Sequence, residues 1–344
     1  MAEAILEPEL PIIDPHHHLW DLRNAPPLVS DHPFAEVIAP MKTYLLGEFL
    51  ADARKAHNVV GTVFVECKAF YRTGGPEELR SLGETETISD LAAHAAAGFY
   101  GDDIRPCAGI VGRVDLTLGE RAGEVIQAHI DAGCGRFCGV RNSAGYDDDR
   151  RVTGPFGGHV RDLYGREDFR RGLQQLERLG LPFDAWVFEP QLPLVVDLAR
   201  AASSTTIVLD HAGTPLGLAS YEGRREERFP VWRRNMAELA RCENVTVKLG
   251  GLGMCFPNFP SFRAQPPAAS EQLAQEWRPY IETCIELFGV RRCMFESNFP
   301  VDVGAGDYTV LWNAFKRLAS GASADEKAAL FFETATRTYR LKLD

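Results

Sequence analysis

The chain has 344 residues, 45% of them hydrophobic and 25% charged, with a net charge of −11 at pH 7. That balance allows a sizeable core and argues against long disorder. The acidic excess argues against nucleic acid or an anionic membrane as partner, and no apolar run is long enough to span a bilayer.

Met1–Leu10 is acidic and lacks a positive start ahead of an apolar stretch, so no secretory signal is expected and a cytoplasmic protein is. The first strand expected is Ile12–His16, where β-branched residues run into Asp14-Pro15-His16-His17-His18-Leu19-Trp20-Asp21. Further strands are expected at Val59–Cys67, Pro106–Val111, Phe137–Arg141, Phe183–Val187, Thr206–Asp210, Val245–Leu249 and Arg292–Phe295. Their short, uninterrupted apolar runs read as strands buried on both faces, as in a parallel sheet. Between them lie helical patterns at Tyr44–Ala56, Glu84–Ala97, Leu118–Asp131, Asp168–Leu179, Leu192–Ala202, Pro230–Arg241, Glu271–Phe288 and Tyr308–Ala319. A closing helix, Ala324–Tyr339, follows Ser323, with Glu326 placed for a capping box.

Eight strands, each followed by a helix, is the pattern of an α/β chain folded as a single (β/α)8 TIM barrel over 1–344. An open doubly wound sheet is the competing architecture. It would want a glycine-rich phosphate turn after an early strand, and the first strand here leads into histidines instead. Long loops follow strands 1, 4 and 7: Leu19–Lys42, Asn142–Glu167 (with Gly157-Gly158) and Gly250–Ser270. They leave the strand ends where barrels build their sites, so they read as pocket walls. Eight cysteines are scattered without any C-x-x-C pair, which suits free thiols in a reducing compartment.

Alternation along the first strand puts His16 and His18 on one face, with Asp14, and His17 on the other. Two imidazoles at i and i+2 suit one divalent metal, zinc or similar; they also suit a metal-free site that binds a polarised carbonyl. A leftover tag is the bland alternative, but the run is short and flanked by structure signals. Nearly every other strand also ends in a polar group: Glu66, Arg113, Arg141, Trp186 with Glu189 and Gln191, His211, Lys248, and finally Glu296, Asn298 and Asp302. Such groups gather at a barrel's rim, where their convergence is the mark of a catalytic site. Trp186, Tyr164, Phe256 and Phe259 are candidate apolar walls, or core. His57, His94, His129 and His159 read as packed or solvated, and His32 lies in the first long loop.

Three stretches carry a resemblance: Asp14-Pro15-His16-His17-His18-Leu19-Trp20-Asp21, Leu209-Asp210-His211-Ala212-Gly213-Thr214-Pro215 and Met294-Phe295-Glu296-Ser297-Asn298-Phe299-Pro300-Val301-Asp302. With the terminal Ala335-Thr336-Arg337-Thr338-Tyr339-Arg340-Leu341, the chain resembles the amidohydrolase-related family, within it the lactonase-like barrel hydrolases. Relatives of that kind act on sugar lactones, pyrone dicarboxylate and muconolactone-type compounds, and some decarboxylate aromatic acids. The resemblance implies roles for His16 and His18 as the paired histidines and for His211 as the histidine of the sixth strand, all three being ligands if a metal is present. Asn298 falls where the family usually has an aspartate. A carboxamide takes no proton from water, so a nearby acid is expected to replace it: Glu296 about 6–7 Å lower on the strand, Asp302, Glu66 or Glu189.

The reading that results is a hydrolase opening a small polar or anionic lactone by water attack, with no organic cofactor. His16, His18, His211, Glu296 and Asn298 are its catalytic candidates. Glu66, Arg113, Arg141, Trp186, Gln191, Lys248 and Asp302 are its substrate-binding candidates, the arginines and lysine holding a carboxylate. Alternatives are a decarboxylase of an aromatic or unsaturated acid and a catalytically impaired metabolite-binding barrel. Self-association into a homo-oligomer is left open.

Overall fold

The computed structural model describes residues 3–25, 30–55, 57–156 and 160–343. Ala56, the expected end of the first helix, and Gly157, Gly158 and His159 of the fourth-strand loop lie outside them. Eight strands stand side by side in chain order, every neighbouring pair parallel. They are β1 Ile12–His17, β2 Val59–Val65, β3 Arg105–Arg113, β4 Phe137–Arg141, β5 Phe183–Ala185, β6 Ile207–Leu209, β7 Val245–Leu249 and β8 Cys293–Phe295. The sheet curls until its edges meet. His18 N donates to Phe299 O at 2.8 Å, and Ser297 donates its N and Oγ to the Asp14 carboxylate at 3.0 and 2.6 Å. The result is a (β/α)8 barrel.

The helices after the strands are α1 Leu46–Ala53, α2 Leu82–Ala96, α3 Ala122–Ala132, α4 Glu167–Leu179, α5 Leu192–Ala201, α6 Arg225–Ala240, α7 Ser270–Phe288 and α8 Tyr308–Leu318. Several bounds differ from expectation for local reasons. Gly119, at φ 61°, kinks the 3-10 segment Leu116–Arg121 that precedes α3, where one helix over Leu118–Asp131 had been expected. Helix α6 starts five residues before Pro230, so the proline sits inside it rather than at its first turn. The closing segment is interrupted by a π turn over Ala329–Glu333, although Ser323 and Glu326 form the expected capping box. No described helix is long and apolar enough to cross a membrane.

Strand side chains alternate between two cores. Phe64, Ile110, Val140 and Phe295 face the helices; Val63, Val65, Val111 and Val208 fill the barrel, where Ala335 and Tyr339 of the C-terminal segment pack under them. One expectation of alternation fails. The three steps from Asp14 to His17 lie against two on β2, Thr62 to Phe64, so β1 carries a bulge. A bulge flips the face of everything beyond it. Asp14 therefore points outward, to Ser297 and Tyr308 of α8, while His16 points inward. His17 points outward as expected, its Nε2 2.9 Å from Thr62 Oγ1 and its ring stacked on Phe49 of α1.

All eight cysteines are free thiols, six of them buried, Cys67 half-buried and Cys134 exposed.

Candidate active site

Three imidazoles meet inside the rim. The ring of His16 lies 4.9 Å from that of His18 and 4.6 Å from that of His211, centre to centre. Two of them, His18 and His211, are hydrogen-bonded to an acceptor at Nδ1. His16 Nδ1 stands 2.8 Å from Glu296 Oε2, His18 Nδ1 2.8 Å from Val65 O, and His211 Nδ1 2.7 Å from Glu296 Oε1. Lys248 Nζ donates to His16 Nδ1 at 3.2 Å, whereas Glu296 Oε2, though nearer, accepts no hydrogen bond. A ring that donates from Nδ1 keeps a lone pair on Nε2. His16 Nε2 and His18 Nε2 are 3.3 Å apart. Burial, then Lys248, holds His16 well below the ordinary imidazole range; burial, then Arg141, pushes His18 down to about 3. Both rings are neutral at pH 7.

Beneath and beside the rings lies a buried charge network. Lys248 Nζ contacts Asp184 at 2.7 Å and Asp210 at 3.1 Å; Tyr339 donates its hydroxyl to Asp184 at 2.7 Å. Arg141 donates Nε to Glu66 Oε1 at 2.9 Å, Nη2 to Glu66 O and Nη1 to Asp210 Oδ2 at 3.5 Å, and its Nη1 is 3.4 Å from His16 Nε2. Burial pushes Asp184 up to about 6. Burial would raise Glu66 and Asp210 too, but Arg141 on the first and Lys248 on the second bring them below the carboxylate range. Four carboxyl groups (Glu66, Asp184, Asp210, Glu296) thus surround two cations, Arg141 and Lys248. Buried charge needs compensation.

Local backbone aims these groups. After β6 the chain turns through left-handed residues, His211 at φ 57° and Ala212 at 50°, which brings the His211 ring back over the barrel. Gly251, at φ 66°, packs flat against that ring: a Cβ there would stand 2.3 Å from His211 Cγ. Asn298 (φ 50°) donates Nδ2 to Asp302 Oδ1 at 2.7 Å, and Asp302 Oδ2 accepts from Gly253 N at 3.0 Å. The amide is thereby oriented, leaving its oxygen for the cavity it lines. Burial raises Asp302 to about 7.

A cavity of about 160 Å³ opens above the rings. Its floor holds His18, His211, Asn298, Glu66 and Arg141; Lys68, Cys67 and Ser143 stand at the side. Its walls come from the first long loop (Trp20, Leu22, Phe34, Ile38), the seventh-strand loop (Met254, Phe256), and Trp186 with Val301. Of the residues singled out from sequence, Lys248 sits under the floor, fully buried, and Asp302 lies behind Asn298. Gln191 ties a turn together, accepting from Tyr146 N at 2.9 Å and donating to Ala144 O at 2.6 Å. Arg113 lines a separate groove with Tyr71, Glu78 and Asp115. Glu189 pairs with Arg228 at 2.6 Å. Tyr164 donates to Asn142 O at 2.8 Å, and Phe259 lies under Arg225. Sequence reasoning did not single out Asp184, Asp210 or Lys68. An aspartate inside the apolar run Phe183-Asp184-Ala185 was the readable signal for the first.

The donor set suits a divalent cation. Two ligand nitrogens on one tetrahedral ion at about 2.0–2.1 Å stand roughly 3.4 Å apart, close to the His16–His18 separation. Ligating histidines donate their second nitrogen to a carboxylate or carbonyl, as the contacts of His18 with Val65 O and of His211 with Glu296 allow here. The acidic excess of two matches one divalent charge. His16, His211 and Glu296 also offer atoms within 4.8 Å of one another; Glu296 is hydrogen-bonded to His211 Nδ1 at 2.7 Å, and its other oxygen lies 2.8 Å from His16 Nδ1. His16, His18 and His211 are therefore the residues that would hold an ion, with Glu296 behind two of them.

Comparison with known proteins gives the same family. The model of the amidohydrolase family matches residues 13–341. The uncharacterized protein y4mH of Sinorhizobium fredii is 34% identical over 339 residues, 97% of this chain and 99% of that one. L-fucono-1,5-lactonase of Burkholderia multivorans is 28% identical over 334 residues, 96% of each chain. A crystal structure of an amidohydrolase from Burkholderia multivorans with bound zinc superposes with a TM-score of 0.69 at 26% identity, covering 96% of this chain and 99% of that one.

Proposed function

The chain belongs to the amidohydrolase family and is a hydrolase, and we propose that it opens a small polar lactone, with one divalent metal ion held by His16, His18 and His211. The observation that carries this reading is the meeting of three imidazoles. All three are buried inside the rim, His16 4.9 Å from His18 and 4.6 Å from His211 centre to centre, and His18 and His211 are hydrogen-bonded at Nδ1, which leaves Nε2 to offer. A divalent ion bound there supplies Lewis acidity to an ester carbonyl and to water. The lactonase relative and the zinc-bound relative support the substrate class and the metal.

The chain's own groups divide the rest. Arg141 lies beside His16 Nε2 and stabilises charge on the carbonyl oxygen. Glu296 orients the His211 ring through Nδ1, lies beside His16 Nδ1, and is thereby committed. Asn298 offers an oxygen that orients water or a substrate hydroxyl without taking a proton. Trp20, Phe34, Trp186 and Phe256 enclose an apolar ring face and limit water at the ester.

The test is acid release, followed by pH indicator, from a lactone panel with protein reconstituted with zinc or manganese. The reading predicts metal-dependent ring opening that is lost in His18→Ala. Carbon dioxide release from aromatic acids without any lactone opening would replace it by decarboxylation. Binding of lactones without turnover would replace it by a metabolite-binding barrel.

A further inference from the structure

The segment after β2 carries a lysine in an unusual setting. Lys68 is exposed, lines the cavity, and has a left-handed backbone at φ 63°. That geometry is held from behind. The amides on either side, Cys67 N and Ala69 N, both donate to Glu84 Oε1, at 3.1 and 2.8 Å. Left-handed backbone at a non-glycine residue is strained, and it persists where surroundings over-determine it. The strain presents the side chain to the cavity.

Two cations line that cavity, and their situations differ. Arg141 is bonded to both the carboxylate and the carbonyl of Glu66 and to Asp210. Lys68 makes no hydrogen bond and no ion pair with the described residues. Its field is set by Arg113 first, then Glu66, then Arg141: two guanidinium groups against one carboxylate. Glu66 is itself paired with Arg141 at 2.9 Å. The side of the cavity near Lys68 is therefore positive.

Resting on the lactone reading, we infer that Lys68 is the substrate-binding residue that selects lactones carrying a carboxylate on a ring carbon remote from the ester. With the carbonyl at the floor beside Arg141, a substituent on the far side of the ring reaches Lys68 at the rim. The anion-holding role expected of Arg141 passes to Lys68, since Arg141 is bonded to the protein's own acids.

The experiment pairs a δ-lactone bearing a remote carboxylate with its neutral carboxamide, on wild type, K68M and K68R. A saturated cyclic-ether carboxylate, which cannot be hydrolysed, serves as a calorimetric probe. Wild type should prefer the acid, and K68M should lower the acid-to-amide ratio of kcat/KM by about tenfold or more, mainly through KM. K68R should restore most of the ratio, and high salt should reduce it in wild type and K68R but not in K68M. The probe should bind K68M about tenfold more weakly. Equal probe affinity in wild type and K68M, or a wild-type preference for the amide, would overturn the assignment. Lysine-dependent probe binding without any lactone opened would keep Lys68 as an anion reader and remove the lactone reading instead.

Discussion

Glu296→Gln isolates what the carboxylate does for the three rings. Glu296 Oε1 accepts from His211 Nδ1 at 2.7 Å and from His211 N at 3.2 Å, and its Oε2 lies 2.8 Å from His16 Nδ1. An amide of the same shape has one acceptor oxygen and an NH2 that only donates. One ring would then face a donor and adopt its other tautomer, moving its proton onto Nε2 and removing a lone pair from the ion's site. Losing an outer partner of this kind costs about 10- to 100-fold in metal affinity, or about 1.4–2.8 kcal/mol. Folding should suffer less, because the substitution also reduces the acidic excess among Glu66, Asp184, Asp210 and Glu296. Zinc affinity by competition with a fluorescent chelator reads the first effect. Melting with and without zinc reads the second, since stabilisation by a ligand falls about 1.4 kcal/mol per decade of affinity. E296Q should melt near wild type without metal and gain much less from zinc. Unchanged zinc affinity and activity in E296Q would refute the tautomer argument.

Other consequences follow from contacts already described. Gly251→Ala puts a Cβ 2.3 Å from His211 Cγ at a backbone φ of 66°, so zinc binding and turnover should collapse, with about 1–3 kcal/mol lost in urea unfolding. Lys248→Met leaves Asp184 and Asp210 facing each other without their ammonium, and urea unfolding should show a loss of about 3–5 kcal/mol. Glu84 is pushed up to about 8, by burial first and then by Glu66. Its raised value means the stability it contributes is complete below about pH 4.5 and is lost as pH rises through about 8. Glu84→Gln keeps the acceptor for Cys67 N and Ala69 N, so it should melt with wild type at pH 5 and above it at pH 9; parallel curves would count against a protonated Glu84.

The barrel was legible because each strand is a short apolar run ending in a polar group, and those ends are the rim. His16, His18, His211, Glu296 and Asn298 could be read from that rule, since all five lie at strand ends. Asp14 could not be placed. Its face depends on a one-residue bulge at Pro15, and bulges leave no periodic trace. Asp184 and Asp210 stayed hidden for a related reason. Asp184 sits inside an apolar run and Asp210 just past one, and the cost of burying them is met by Lys248 and Arg141 from distant strands. Lys68 had no motif at all; its place follows from a left-handed turn held by Glu84, a contact between segments. Arg113 and Gln191 end strands or follow them, yet one faces a separate groove and the other ties a turn, because side-chain direction beyond the strand is set by tertiary packing.

The most direct measurement is the anomalous difference map at the zinc edge from a crystal of zinc-loaded protein. It should show one peak bounded by the Nε2 atoms of His16, His18 and His211, with both Glu296 contacts to Nδ1 retained. A peak on the Nδ1 side, with Glu296 as a ligand, or no peak among these rings, would contradict the assignment.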